Sequence, residues 1–276
     1  MKIIAETTTL YSPQEGKELG LTIIPTCSII DGEVYRDFED INSEEFLEKI
    51  AEGAVPKTSQ PAIGEILEVF EESDEEALFL PIGDGLSGSY QSAMGAKNSM
   101  DENDHIHIVD TKTLAAAQRY LVRKALTLKE EGLLMEQIKK ELEQCAETSY
   151  SYVIPEDFEF LKRSGRLTPI AAKIVTVIKI VPVLTLTEDR KKITLFTVKR
   201  SKRKALDAII ENLKEKGVNK DHLIMVSHAE NAKEAESTCA KLKEHFAESD
   251  MEIHKLAPSL MTHGGPGCIV VQVIRK

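Results

Sequence analysis

The chain has 276 residues, 42% of them apolar and 29% charged, with a formal net charge of −11. This composition belongs to a globular protein long enough for one large domain or two, and it excludes collagen, coiled coil and an unfolded chain. The acidic balance repels nucleic acid and anionic lipid as a whole, so any phosphate must be met by a local basic cluster.

From the start, short β-rich runs alternate with amphipathic helical runs over residues 1–150, which predicts a doubly wound, mostly parallel α/β domain. Ile3 to Ala5 form the first strand. Ser12, Pro13 and Glu15 then supply an N-cap, a first-turn proline and a capping-box partner for a short helix that Gly20 ends. Two extended runs, LTIIP and CSIID, lead into a turn at Asp31 and Gly32 and a third run, EVYRD. Asn42 caps a helix through Ile50, and GAVPKTSQP reads as a polar loop. After Pro61, residues Ile63, Ile66, Leu67 and Phe70 recur at helical spacing. ALFLPI is a buried strand, GDGLSGSYQ a glycine-rich turn into a helix, and HIHIVD the next strand, completing a βαβ unit. Two helices follow, separated by Gly132.

Near Tyr150 the pattern changes, predicting a second α/β domain over residues 151–276. YSYVIP is a strand, a helix ends at Gly165, and an unusually apolar helix runs from Pro169 to about Ile178. VPVLTLT and KITLFTV form a hairpin about Asp189 and Arg190. A helix from Lys204, a strand from Leu223, a helix from Ala232 and a strand from Ile253 precede the THGGPG loop and a final strand, CIVVQVI. Lys173, Lys179 and Pro182 keep the apolar stretch from spanning a bilayer as one helix, and Glu6 is out of place in a signal peptide. A cytoplasmic protein is therefore expected. Cys27, Cys145, Cys239 and Cys268 form no CxxC pair and read as reduced core thiols.

The turn after ALFLPI is open to several readings. Gly83, Gly85 and Gly88 match GxGxxG, and Asp110 ends the next strand, as in a dinucleotide-dependent enzyme. The glycines could equally only shape a tight turn. A third reading has the amides at the helix start, with Ser87, holding a small anion such as a carboxylate. A hydrolase using Ser87 with His263 as base meets the wrong spacing, because Gly88 directly follows the serine. His105 and His107 share a strand face without further ligands at metal spacing. Two basic clusters, KRSGR and KRSKRK, offer solvated faces or a site for phosphate or an acidic partner.

Taken in order, IIDGEVYRD, PKTSQP, GLSGSYQSA, VDTKT, FLKRSGRL, VKRSKRKAL and THGGPG resemble the DegV family of bacterial fatty-acid-binding proteins along essentially the whole chain. The resemblance implies two α/β domains with a long-chain fatty acid buried between them, no further cofactor, and no catalysis by this chain alone. It also implies an acyl-carrying subunit of a fatty acid kinase, presenting the carboxylate to a separate ATP-using protein. Transient membrane contact is compatible with that role; nucleic acid is not a partner. By the same resemblance, head-group contacts fall on Ser59 or Thr58, on Ser87 with Gly88, and on His263, while Arg166 and Arg200 face the partner or phosphoryl end. Glu6 and Thr7 stand where the family commonly has Asp and Ser, and Gly83 and Asp84 where it usually has two serines; an added carboxylate at Asp84 weakens anion binding unless it points away.

Overall fold

The computed structural model describes residues 1–173 and 180–276, so residues 174–178 of the expected apolar helix lie outside the described residues. Two compact units are present: residues 1–147 with 257–259, and residues 148–256 with 260–276.

In the first unit the strands are β1 (Lys2–Glu6), β2 (Leu21–Ile24), β3 (Cys27–Ile30), β4 (Glu33–Arg36), β5 (Lys57–Ser59), β6 (Ala77–Phe79) and β7 (Ile106–Ile108). Its helices are α1 (Pro13–Glu18), α2 (Ser43–Ala51), α3 (Ile63–Glu71), α4 (Ser89–Ser99), α5 (Ala115–Glu130) and α6 (Met135–Ala146). A four-stranded, wholly parallel sheet has the order β2-β1-β6-β7. Ile4, Ile24, Phe79 and Ile106 from the strands pack with Ile66 and Phe70 of α3 and Ala93 and Ala96 of α4. α5 packs on β1 and on the 3-10 turn Thr7–Thr9 that follows it. Chain order reverses between β1 and β6, and such a switch point opens a crevice at the carboxyl ends of the strands.

Local chemistry explains the boundaries. Ser12 and Glu15 exchange the two bonds of a capping box, with Ser12 N donating to Glu15 Oε2 at 2.8 Å and Glu15 N to Ser12 Oγ at 3.2 Å. Asn42 and Glu45 repeat the device on α2. Asp31 and Gly32 both have positive φ, 53° and 90°, as the tight β3–β4 hairpin needs. One expectation is corrected: KTS, read as polar loop, is the strand β5, antiparallel to β3. Three residues lying between Pro56 and Pro61 are too few to show alternation.

The second unit holds β8 (Tyr150–Ile154), β9 (Val181–Leu186), β10 (Ile193–Lys199), β11 (His222–His228), β12 (Asp250–Lys255) and β13 (Ile269–Arg275) in one sheet, ordered β10-β9-β8-β13-β11-β12. Only the β11–β12 pairing is parallel among these described strands. Its helices are α7 (Phe158–Arg163), α8 (Pro169–Ala172), α9 (Lys202–Glu215), α10 (Ala232–His245) and α11 (Pro258–Gly264), the first two residues of α11 belonging to the first unit. Ile209, Ile210 and Leu213 of α9 and Leu242 of α10 bury against Tyr152, Val183, Ile224 and Val271 of the sheet. A second correction falls here: His263 and Gly264 end α11, and only Gly265 (φ 77°) to Gly267 (φ 74°) form the turn. Seven residues opened by a proline carry too little periodicity to announce a helix. No helix among the described residues is long and apolar enough to cross a membrane.

Candidate functional site

Buried polar groups gather at the carboxyl ends of β1 and β6. Glu6, last residue of β1, is wholly buried. Its Oε1 accepts the Ile82 amide at 2.6 Å, and its Oε2 accepts the Ser89 hydroxyl at 2.8 Å. Ser89 Oγ lies 3.1 Å from Ser87 Oγ, and the Ser89 amide donates to Ser87 Oγ at 3.3 Å. A relay thus runs from a buried carboxyl through Ser89, at the first turn of α4, to the half-buried Ser87. Burial pushes the Glu6 carboxyl up to about 7, against the hydrogen bonds from Ile82, Ser89 and Thr8 and with added repulsion from Asp37.

Asp37, just beyond β4, is the second buried acid. Its Oδ2 accepts from Thr26 Oγ1 at 3.0 Å and from the Ser259 amide at 3.2 Å, while Thr26 Oγ1 lies 2.7 Å from Thr7 Oγ1. Burial again dominates, raising this carboxyl to about 6 against those bonds. Ser28, buried on β3, donates to Asp37 Oδ1 at 3.5 Å and stands opposite Thr58 of β5. Residues facing each other across an antiparallel ladder share a sheet face. The half-buried Thr58 is therefore on the face of Ser28, whereas Ser59 is exposed and its hydroxyl turns back to the Gln60 carbonyl at 3.0 Å.

The TSQP segment and the serine turn meet within this unit. Gln60 Nε2 donates to Ser92 Oγ of α4 at 3.1 Å, and a Cβ placed on Gly88 would stand 2.6 Å from the Gln60 amide. Gly88 is also the N-cap of α4 and offers no side-chain cap, so Ser87 Oγ takes that role toward the Ser89 amide. Asp84 accepts from Gln91 Nε2 at 3.1 Å, which ties its carboxylate to the outer side of α4.

The dinucleotide reading is not favoured, and the reason is local. Asp110 Oδ1 already accepts the Asp84 and Lys112 amides, each at 3.0 Å, and so braces the turn instead of standing ready for a ribose. A Cβ on Gly83 would lie 2.9 Å from the Thr113 amide, with the Gly83 amide bonded to the Thr113 carbonyl at 2.8 Å. Gly83 is thus needed where two backbones touch, leaving no room for a pyrophosphate against it. The serine-hydrolase reading gains nothing, since Ser87 leads through Ser89 to a carboxyl.

In the second unit, His263 is half-buried at the end of α11. Burial, with the nearby Arg166 cation, pulls its imidazole down to about 4, so it is neutral at physiological pH and serves as a donor or acceptor, not as a charge. Arg166 is half-buried, its guanidinium bonded to the Ser164 carbonyl, and burial lowers its pKa without threatening its charge. The structure therefore brings Arg166 and His263 into one electrostatic neighbourhood. Arg200 is exposed beyond β10, beside Ser201, which caps α9 by accepting the Lys204 amide at 3.3 Å. Lys202 pairs with Glu156.

Sequence reasoning missed the roles of Glu6, Asp37, Thr26, Ser89 and Gln60. An acid closing an otherwise apolar buried strand, as Glu6 closes Ile3 to Ala5, was the available signal for the first. Nothing in the pattern around Asp37 distinguishes it from a surface acid.

A model of the DegV family, described as uncharacterised proteins, matches residues 1–276. A DegV domain-containing protein of Listeria monocytogenes is 29% identical over 274 residues, spanning 97% of this chain and 95% of its own. Among solved structures, DegV of Bacillus subtilis, described as a fatty acid binding protein, is 28% identical with a TM-score of 0.86, covering 100% of this chain and 99% of its own. The fatty acid binding DegV family protein SAG1342 of Streptococcus agalactiae is 26% identical with a TM-score of 0.89, covering 100% and 98%.

Proposed function

The chain belongs to the DegV family, and on that premise we propose that it binds a long-chain fatty acid and presents the carboxylate to a separate ATP-using kinase in the cytoplasm, which forms the acyl phosphate. The observation that carries the reading is the serine turn at the switch point of the parallel sheet, in a chain that aligns end to end with fatty-acid-binding structures. A long alkyl tail contributes about 0.8 kcal/mol per buried CH₂, so the tail supplies affinity and the polar groups supply orientation. For the head group we assign Ser87 with the backbone of Gly88 and, of the two hydroxyls in TSQP, Thr58, because it shares the face of buried Ser28 while Ser59 is turned out. These are short, neutral donors. They can hold a carboxylate while leaving an oxygen nucleophilic enough to attack a phosphoryl group. In the second unit we assign His263 as a neutral donor to the ligand and Arg166 and Arg200 to the phosphoryl or partner side, Arg200 through its exposure. The chain would supply no catalytic group of its own, and a brief membrane contact would serve only to collect the lipid.

Titration of the purified chain with oleate tests this reading. Ser87→Ala should weaken binding by about 1–3 kcal/mol through loss of a partner to a buried anion, and Thr58→Ala should weaken it more than Ser59→Ala. Equal affinities across the wild type and these three variants would exclude the assigned head-group site. Phosphate transfer to the bound lipid by an added ATP-dependent partner tests the second half, and its absence with a loaded chain would confine the role to carriage.

A further inference from the structure

Glu6 has no assigned task, yet it terminates the only described chain of hydrogen bonds that leads inward from Ser87. We propose that Glu6 is a positioning residue of the head-group site: acting through Ser89, its carboxyl sets the direction in which the Ser87 hydroxyl donates. The inference rests on the fatty-acid reading and deepens it.

The same heavy-atom positions accommodate two proton arrangements. With Glu6 ionised, Ser89 donates to Oε2 and Ser87 donates inward to Ser89. Ser87 then accepts the Ser89 amide and turns only lone pairs outward, which oppose a carboxylate. With Glu6 protonated, Oε1 still accepts the Ile82 amide, while the acid hydrogen on Oε2 donates to Ser89. Ser89 then donates to Ser87, and the Ser87 hydroxyl is freed to donate to an anion. The order Glu6, Ser89, Ser87 thus converts a proton taken from solvent into a donor aimed at the ligand.

The groups around Glu6 fit this role. The 3-10 turn contributes Thr8, itself bonded to Gln118 of α5 at 2.9 Å; the segment after β6 contributes the Ile82 amide; α4 contributes Ser89. Asp37 is the charged group that bears on it, and its repulsion favours the protonated form. Burial places the carboxyl near 7, so both arrangements are within reach at physiological pH. A group needed only for packing would have no reason to end a hydroxyl relay on a binding turn.

The test compares Glu6→Gln with wild type in calorimetric titrations with oleate from pH 6 to pH 8. The glutamine amide can accept from Ile82 and donate to Ser89 at every pH, fixing the outward arrangement. The ligand's own titration cancels in the ratio of the two affinities. The wild-type affinity should fall by about tenfold relative to E6Q across this range, as the competent fraction follows a carboxyl titrating near 7. Repetition in buffers of different ionisation enthalpy should show wild type taking up more protons per oleate than E6Q at pH 8. Ser89→Ala, which cuts the relay without touching the acid, should also remove the pH-dependent ratio. Parallel pH profiles and equal proton uptake in wild type and E6Q would overturn the role of Glu6 while leaving fatty-acid binding intact; a wild type that binds no oleate at any pH would overturn the underlying reading instead.

Discussion

Gly83 and Gly88 look alike in sequence but differ in what surrounds them. A Cβ on Gly83 meets backbone of the 110–113 turn at 2.9 Å, whereas one on Gly88 meets the far end of the Gln60 side chain, which can swing aside. Gly83→Ala should therefore destabilise by about 1–3 kcal/mol in urea unfolding, and Gly88→Ala by clearly less; the reverse order would contradict the packing described. The two buried acids also set a pH dependence. With folded-state values near 7 and 6, Glu6 and Asp37 hold protons that the unfolded chain has released, so their contribution to stability is greatest below about pH 4.5 and declines as pH rises toward 7. His263 works oppositely, losing stability as pH falls from about 6.5 to 4. Replacing Glu6 with Gln should therefore gain stability over wild type on going from pH 5 to pH 8, by on the order of 1–3 kcal/mol in denaturant titrations. A pH-independent difference would mean that the carboxyl is not held neutral. The serine turn is marked in the sequence because motif and helix start coincide, but the link from Ser87 to Glu6 runs through Ser89, 83 residues from Glu6, and no local pattern announces such a pair.

Among elements, those with chemical punctuation were readable and those without were not. The capping boxes at Ser12 and Asn42, the hairpin at Asp31 and Gly32 and the helix end at Gly132 each follow from a residue whose side chain or φ serves one purpose. Asn42→Ala should cost about 1 kcal/mol of stability by calorimetry, and no loss would mean that the cap bonds are exchanged with water at no cost. By contrast, β5 is held by its pairing to β3 and α11 by its tertiary setting, both over stretches too short for periodicity. Those two elements carry Thr58 and His263, so two of the proposed ligand contacts stand on backbone that no local pattern announces.

Along the whole chain, the change of pattern near Tyr150 follows from a change of main sheet, from the wholly parallel four-stranded sheet of the first unit to the mixed six-stranded sheet of the second. The order of several motifs along 276 residues made the family legible, where any one motif, including the GxGxxG match, pointed elsewhere. Of the two buried acids only Glu6 carries a local signal, the apolar strand it closes; for Asp37 burial is a property of the folded chain alone, and a net charge of −11 gives no hint of which carboxyls are neutral. The proposed fatty-acid carriage is open to native mass spectrometry of protein expressed in bacteria and purified without added lipid: one long-chain fatty acid per chain, released on denaturation, is expected, whereas a bare protein that also fails to take up oleate would refute it.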